Sequence, residues 1–282
     1  MNKKRGPDMK TYAIFNVKGG VAKTTTATTL AHIFATDYNK KVLIVDLDPQ
    51  SNTTSLLGNS NLNILSVLTQ VFLQNDLSAL KSYDLTVGDL LIDSKLNVKD
   101  VIQHTVYPNL DLLPAFLDLA EIEETMKADI RTPQQFRLKS HLDKIGDEYD
   151  YCILDLSPSI NIININGLAM TDYVFTPLRC DLWGLAGYCI AKNLVNTVSS
   201  YNPKLDIAGC FFVQWSAQSS LSKQIQAFML ENMGNKYIDI PIRKCVKAEE
   251  MTYEHKALSD YAKKATATID YKALADYIIS NY

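Results

Sequence analysis

The stretch TYAIFNVKGGVAKTTTATTLAHIF, residues 11–34, constrains the fold more than any other. Residues 11–17 are an apolar run rich in β-formers, which predicts a strand buried on both faces, as in a parallel sheet. Gly19 and Gly20 then turn the chain. From Lys23 onward, Ala27, Leu30, Ala31 and Phe34 recur at helical spacing. A second apolar run, KKVLIVDLD (40–48), ends in two aspartates. Strand, glycine loop, helix, strand is a βαβ unit, and parallel strands need a sheet covered by helices on both faces.

The remaining chain supports that reading. NLDLLPA (109–115), YCILDL (151–156), YVFTPLRC (173–180), IAGCFFVQW (207–215) and KYIDIPI (236–242) read as further strands separated by helical segments. Residues 59–104 read as helical and polar-faced, and DYKALADYIISNY (270–282) as a final helix. The fold expected is α/β: a doubly wound, mostly parallel sheet of the P-loop NTPase kind, in three αβα layers. The chain of 282 residues has no linker, repeat or low-complexity stretch. It reads as a single domain over 10–282 with a helical insertion near 60–83. The first residues, to Met9, read as a disordered tail, and Met9 offers a second start.

Composition excludes several classes. The formal net charge of −3 rules out a polycation that coats nucleic acid wholesale, though not a local basic patch. The five cysteines, Cys152, Cys180, Cys189, Cys210 and Cys245, are scattered and form no CxxC pair, so they read as reduced thiols. MNKKRGPD is basic, but no apolar signal region follows it, and the longest apolar runs are strand-length. A cytoplasmic protein with no membrane span is expected.

The loop itself suggests chemistry. A glycine turn between a strand and a helix presents backbone N–H groups and the positive helix end to phosphate oxygens. In GGVAKTT the backbone of Gly19, Gly20, Val21, Ala22 and Thr25 would line such a cradle. Lys23 would reach the β- and γ-phosphates, and the Thr24 hydroxyl would ligate Mg²⁺. The strict pattern G-x-x-x-x-G-K-[ST] is not met, because Val17 and Ala22 stand at its two glycine positions. If Ala22 needs positive φ, it costs about 1–2 kcal/mol.

What does match is K-G-G-V-x-K-T-T, at Lys18 to Thr25. This resembles the deviant Walker A box of the ParA/MinD superfamily of ATPases. The resemblance continues through VLIVDLDPQSNTT (42–54), YDYCILDLSPS (149–159), TPLRCDLWGLAGYCIAKNLV and IPIRKCVKAEE, nearly end to end. It implies ATP and Mg²⁺ as cofactors and an ATP-dependent homodimer, with Lys18 reaching across the dimer into the partner's site. It implies that Asp48 orients the attacking water, that Asp46 holds the magnesium shell, and that Asp155 binds Mg²⁺ through water. Pro241 would lie on the base side. Ser157 stands where the family has the first proline of D-x-P-P-S, so a looser loop is expected there.

Within that superfamily the boxes look like ParA-type partition ATPases, which implies a nucleoid-associated protein. The ATP dimer would bind DNA without sequence preference, and a ParB-like centromere-binding protein would trigger hydrolysis and release. Candidate DNA contacts are Lys223, Arg243, Lys244 and Lys247. The amino-terminal part is too short for the helix-turn-helix domain of longer relatives. The main alternative is a MinD-like membrane-associated positioning ATPase, but the final segment YKALADYIISNY is not the basic amphipathic helix that stable membrane binding needs. An iron–sulfur carrier of this fold would need clustered cysteines. A tyrosine kinase of this fold would carry a clustered tyrosine tail, whereas Tyr253, Tyr261, Tyr271, Tyr277 and Tyr282 are dispersed. A non-catalytic scaffold would not need Lys23, Thr24, Asp48 and Asp155 together.

Overall fold

A computed structural model describes residues 9–58, 69–74, 83–130 and 133–282. The expected tail over residues 1–8 and most of the expected insertion near 60–83 lie outside the described residues. Met9 donates its N–H to the Gly146 carbonyl.

Among the described residues, seven strands form one sheet: β1 Lys10–Ile14, β2 Val42–Leu47, β3 Gln103–His104, β4 Leu110–Leu113, β5 Tyr151–Leu156, β6 Tyr173–Leu178 and β7 Asp206–Phe212. Their order is β3-β4-β2-β5-β1-β6-β7. All pairs are parallel except β3 with β4. The helices are α1 Lys23–Thr36, α2 Asn52–Leu57, α3 Val87–Ile92, α4 Val98–Val101, α5 Leu119–Ala128, α6 Arg137–Leu142, α7 Ile162–Leu168, α8 Leu182–Val198, α9 Ser220–Asn232, α10 Lys247–Glu254, α11 Leu258–Tyr261 and α12 Thr266–Asn281.

The central strands are apolar at successive positions because both of their faces are covered. Every residue of β2 and β5 is buried. Alternate side chains serve two cores. Leu43, Val45 and Leu47 join one, and Val42 and Ile44 join the other. Helices α3, α5, α7 and α8 cover the first core, while α1, α11 and α12 cover the second. This is the three-layer arrangement read from the sequence. The final helix packs Tyr271, Leu274, Ala275 and Ile278 inward, and Tyr271 meets Thr26 of α1 at 2.9 Å.

The segment read as a strand at 236–242 does not form one. It runs beside β7 through isolated bonds, Ile238 N–H to Cys210 O at 2.8 Å and Ile242 N–H to Phe212 O at 2.7 Å. Between them the Ile240 N–H turns back onto Ile238 O, and Pro241 has no N–H to give.

The order β2-β5-β1 places the ends of these three strands side by side. In register, Asp155 lies between Asp46 of β2 and Ile14 of β1. The loop after β1, Asp46 at the end of β2 and Asp48 just past it therefore meet at the carboxyl edge, where ligands bind in open α/β sheets.

Candidate functional site

The loop from Phe15 to Ala22 connects β1 to α1. Its entry is braced by Asn16, whose side chain donates to Pro177 O at 2.9 Å and accepts from the Lys18 N–H at 2.9 Å. Gly20 adopts φ 70° and Ala22 φ 54° with ψ 35°. Ala22 thus sits in the left-handed region at the amino end of α1, and the strain anticipated from the sequence is present there. A Cβ on Gly19 or Gly20 would meet nothing within 4 Å, so the rim of the loop is open.

Lys23 begins α1 with its side chain turned inward. It is buried, and its Nζ donates to the Lys18 carbonyl at 3.2 Å. Burial lowers its pKa, while Asp155 and Asp48 oppose that shift. A lysine held against the loop backbone beside two carboxylates would offer a prepositioned cation to a phosphate in this loop.

The carboxylates are held by threonines. Asp155 Oδ2 accepts from Thr24 Oγ1 at 2.7 Å and from Thr53 Oγ1 at 2.8 Å. Asp155 Oδ1 is buried and has no hydrogen-bond partner among the described residues. Asp46 Oδ2 accepts from both the N–H and the hydroxyl of Thr54, each at 2.8 Å, and its Oδ1 accepts from the Asp48 N–H at 3.1 Å. The Thr54 hydroxyl also accepts from the Ala115 N–H at 2.8 Å. Burial, with Asp155 nearby, raises the pKa of Asp46. Burial also raises that of Asp155, against the donations from Thr24 and Thr53. Two buried carboxylates in adjacent register, one with an unpaired oxygen, beside a threonine hydroxyl, form the all-oxygen donor set that suits a hard divalent cation. The residues present fit Mg²⁺. Asp155 and Thr24 would hold it, and Asp46, expected in the magnesium shell, also accepts from the Asp48 amide.

Asp48 stands at the mouth of this pocket, half-buried. Its Oδ1 accepts from the Gln50 N–H at 2.9 Å, and its carbonyl accepts from the Ser51 N–H at 2.8 Å. Ser51 takes φ 52° and starts α2. A cavity of about 240 Å³ lies where α1, α2 and α10 converge, lined in part by Thr24, Thr25, Asn52 and Met251.

Ser157 does not leave its loop slack. Asn164 of α7 donates to the carbonyls of Ser157 at 2.9 Å and Ser159 at 2.6 Å, and Ser157 Oγ lies 3.3 Å from Asn164 Oδ1. The expectation of a looser loop is corrected by this brace, which the sequence does not advertise.

Lys18 lies on the outer side of the loop. Its Nζ pairs with Asp181 Oδ1 at 2.7 Å, with both side chains about one-quarter to one-third exposed. Asp181 also caps α8 by accepting from the Gly184 N–H at 2.7 Å. Its burial raises its pKa, but the donations from Lys18 and Gly184 outweigh that and hold it low. α8 approaches so closely at Gly187 that a Cβ there would come within 2.5 Å of Asn16 Oδ1 and 3.2 Å of Lys18 Cβ. Asn16, Thr53, Asn164 and Asp181 are the residues that sequence reasoning missed.

Pro241 reaches the same edge at the far end of the sheet, half-buried beside the extension of β7. There Gln214, at φ 51°, donates to the Gly20 carbonyl at 3.4 Å. Two of the four basic candidates carry ion pairs within the chain. Arg243 makes a two-pronged pair with Asp270, and Lys247 pairs with Glu250 at 2.6 Å. Lys244 and Lys223 are exposed, Lys223 on α9 and Lys244 just before α10.

Residues 9–207 match the protein-family model described as an AAA domain. The chain is similar to the chromosome-partitioning ATPase Soj of Treponema pallidum, 31% identical over 274 residues that cover 96% of this chain and 97% of the relative. It is similar to the chromosome partitioning protein ParA of Caulobacter vibrioides, 30% identical over 96% of this chain and 94% of the relative. Among solved structures, a variant of Cyanothece McdA in complex with ATP superposes with a TM-score of 0.79 at 21% identity, covering 97% of each chain.

Proposed function

The chain belongs to the Soj/ParA family of partition ATPases, and from that premise we propose that it binds and hydrolyses ATP with Mg²⁺, pairs with a second copy in the ATP state, and in that state binds DNA without sequence preference. The observation that carries the proposal is the Thr24–Asp155 bond, which closes the phosphate loop onto a carboxylate with one unpaired buried oxygen. Lys23 then neutralises the phosphates from within the same subunit. Asp48 lies at the pocket mouth with one oxygen engaged by Gln50, suited to orient an attacking water.

Lys18 is assigned to the neighbouring site. Lys23 already occupies the approach to the phosphates in its own subunit, and Lys18 points to the rim. Two-fold symmetry would exchange such rim residues between copies. Next to Asp181, Leu182 and Trp183 stand 79% and 75% exposed, apolar area at the rim that a second copy would cover. Hydrolysis triggered by a ParB-like partner would then separate the copies, and the protein would cycle between nucleoid and cytoplasm.

The membrane-positioning alternative is not favoured. The apolar face of α12 is packed on α1, and among the described residues no helix is long and apolar enough to cross a membrane. The test is DNA binding with ATP, with ADP and without nucleotide across a salt series. Binding confined to ATP, weakening steeply with salt, is expected. Equal binding in all three states would overturn the proposal.

A further inference from the structure

Thr53 has no place in the chemistry assigned so far. It is the second residue of α2, its side chain is fully buried, and its hydroxyl donates at 2.8 Å to Asp155, which is 102 residues away in the chain. Thr24 donates to that same oxygen at 2.7 Å. A threonine hydroxyl has one proton and two lone pairs. Thr24 can therefore give its proton to Asp155 and still offer a lone pair to a cation.

Two donors on Oδ2 leave Oδ1 as the oxygen without a partner. That asymmetry fixes the carboxylate rotamer, because turning it would strand two buried hydroxyl protons at about 1–3 kcal/mol each. The next residue, Thr54, grips Asp46 with its N–H and its hydroxyl. The first turn of α2 thus holds both carboxylates of the site. The chain between Asp46 and this turn contains Asp48.

We propose that Thr53 is a positioning residue for the magnesium site: its hydroxyl sets the Asp155 carboxylate so that Oδ1 faces the cation, and ties the seating of α2 to that carboxylate. Deleting the hydroxyl leaves Oδ2 with Thr24 alone, and the carboxylate is free to rock. The helix turn that carries the Asp48 segment loses one of its two clasps. Outer hydrogen bonds of this kind are worth about 10–100-fold in metal affinity.

The inference rests on the nucleotide–magnesium reading of the site, and one experiment separates the two. A fluorescent ADP analogue is bound to the full chain in EDTA, and MgCl₂ is then titrated in. Thr53→Val should raise the Mg²⁺ concentration at half-saturation by about 10–100-fold, with binding in EDTA unchanged. Thr53→Ser, which keeps the hydroxyl, should stay within about threefold of wild type. If the valine variant does not fold, Thr53→Ala is read in the same way. A valine or alanine variant with the wild-type Mg²⁺ midpoint overturns the inference. So does a serine variant as impaired as valine, or equal weakening with and without Mg²⁺, since each would make the role one of packing. Wild-type protein whose nucleotide binding ignores Mg²⁺ would sink the magnesium reading itself, and this inference with it.

Discussion

The carboxylate pocket and the rim of the phosphate loop lie a few residues apart but are built on opposite terms. In the pocket, Asp46 and Asp155 are at most 1% exposed and are held by Thr24, Thr53 and Thr54 through bonds of 2.7–2.8 Å. At the rim, Lys18 is part-exposed and is held by one ion pair to Asp181, and the glycines beside it face open space where a Cβ would stand. A buried, doubly braced carboxylate is a committed structure that is costly to rearrange. A part-exposed ion pair of this kind is worth about 0.2–1 kcal/mol and can be exchanged for another partner. On the proposed reading, the groups that serve their own subunit's nucleotide are already braced, whereas Lys18 is held by one exchangeable ion pair.

The contrast can be broken at several points. Lys23→Ala, at the floor of the pocket, should have the largest effect. Nucleotide binding is lost and hydrolysis falls by about 10³-fold, as measured by nucleotide titration and phosphate release. Unchanged turnover would remove the loop assignment. Asp48→Ala should keep ATP binding but lower hydrolysis by about 10²-fold, so that light scattering with ATP shows an accumulated dimer. A monomer with normal turnover would contradict the placement of Asp48.

Two changes at the rim that spare Lys18 itself should have small effects of opposite sign. Asp181→Asn keeps a cap for α8 but releases Lys18. ATP-dependent dimerisation should tighten by about twofold to fivefold, the value of one exposed pair. Weaker dimerisation would show that Asp181 supports the active form instead of holding Lys18 in reserve. Ala22→Gly relieves the φ of 54°. Offset by the greater freedom of glycine in the unfolded chain, it should stabilise the protein by about 0.5–1 kcal/mol, seen as a small rise in Tm.

The same contrast explains what the sequence revealed. That the loop, Lys23 and Thr24 meet the edge of the sheet was legible in the strand–turn–helix pattern, and the family resemblance singled out Asp46, Asp48 and Asp155, which the register brings to the same edge. The clasps were not. Thr53 meets Asp155 across 102 residues and Lys18 meets Asp181 across 163, and no local periodicity marks either pair. Nor was the ion pair of Arg243, whose carboxylate, Asp270, lies 27 residues further on in α12. KYIDIPI read as a strand, but the Ile240 N–H turned back onto Ile238 O and the missing N–H of Pro241 decide its backbone.

The central claim, that the pocket works in cis and Lys18 in trans, meets its most direct test in Lys18→Ala. ATP affinity and molecular mass are measured on the same sample, in the Asp48→Ala background where dimers should accumulate. The account predicts ATP affinity close to that of the Lys18-containing parent, with the protein remaining a monomer at every ATP concentration. Loss of ATP binding by the isolated monomer, or a dimer as abundant as in the parent, would contradict it.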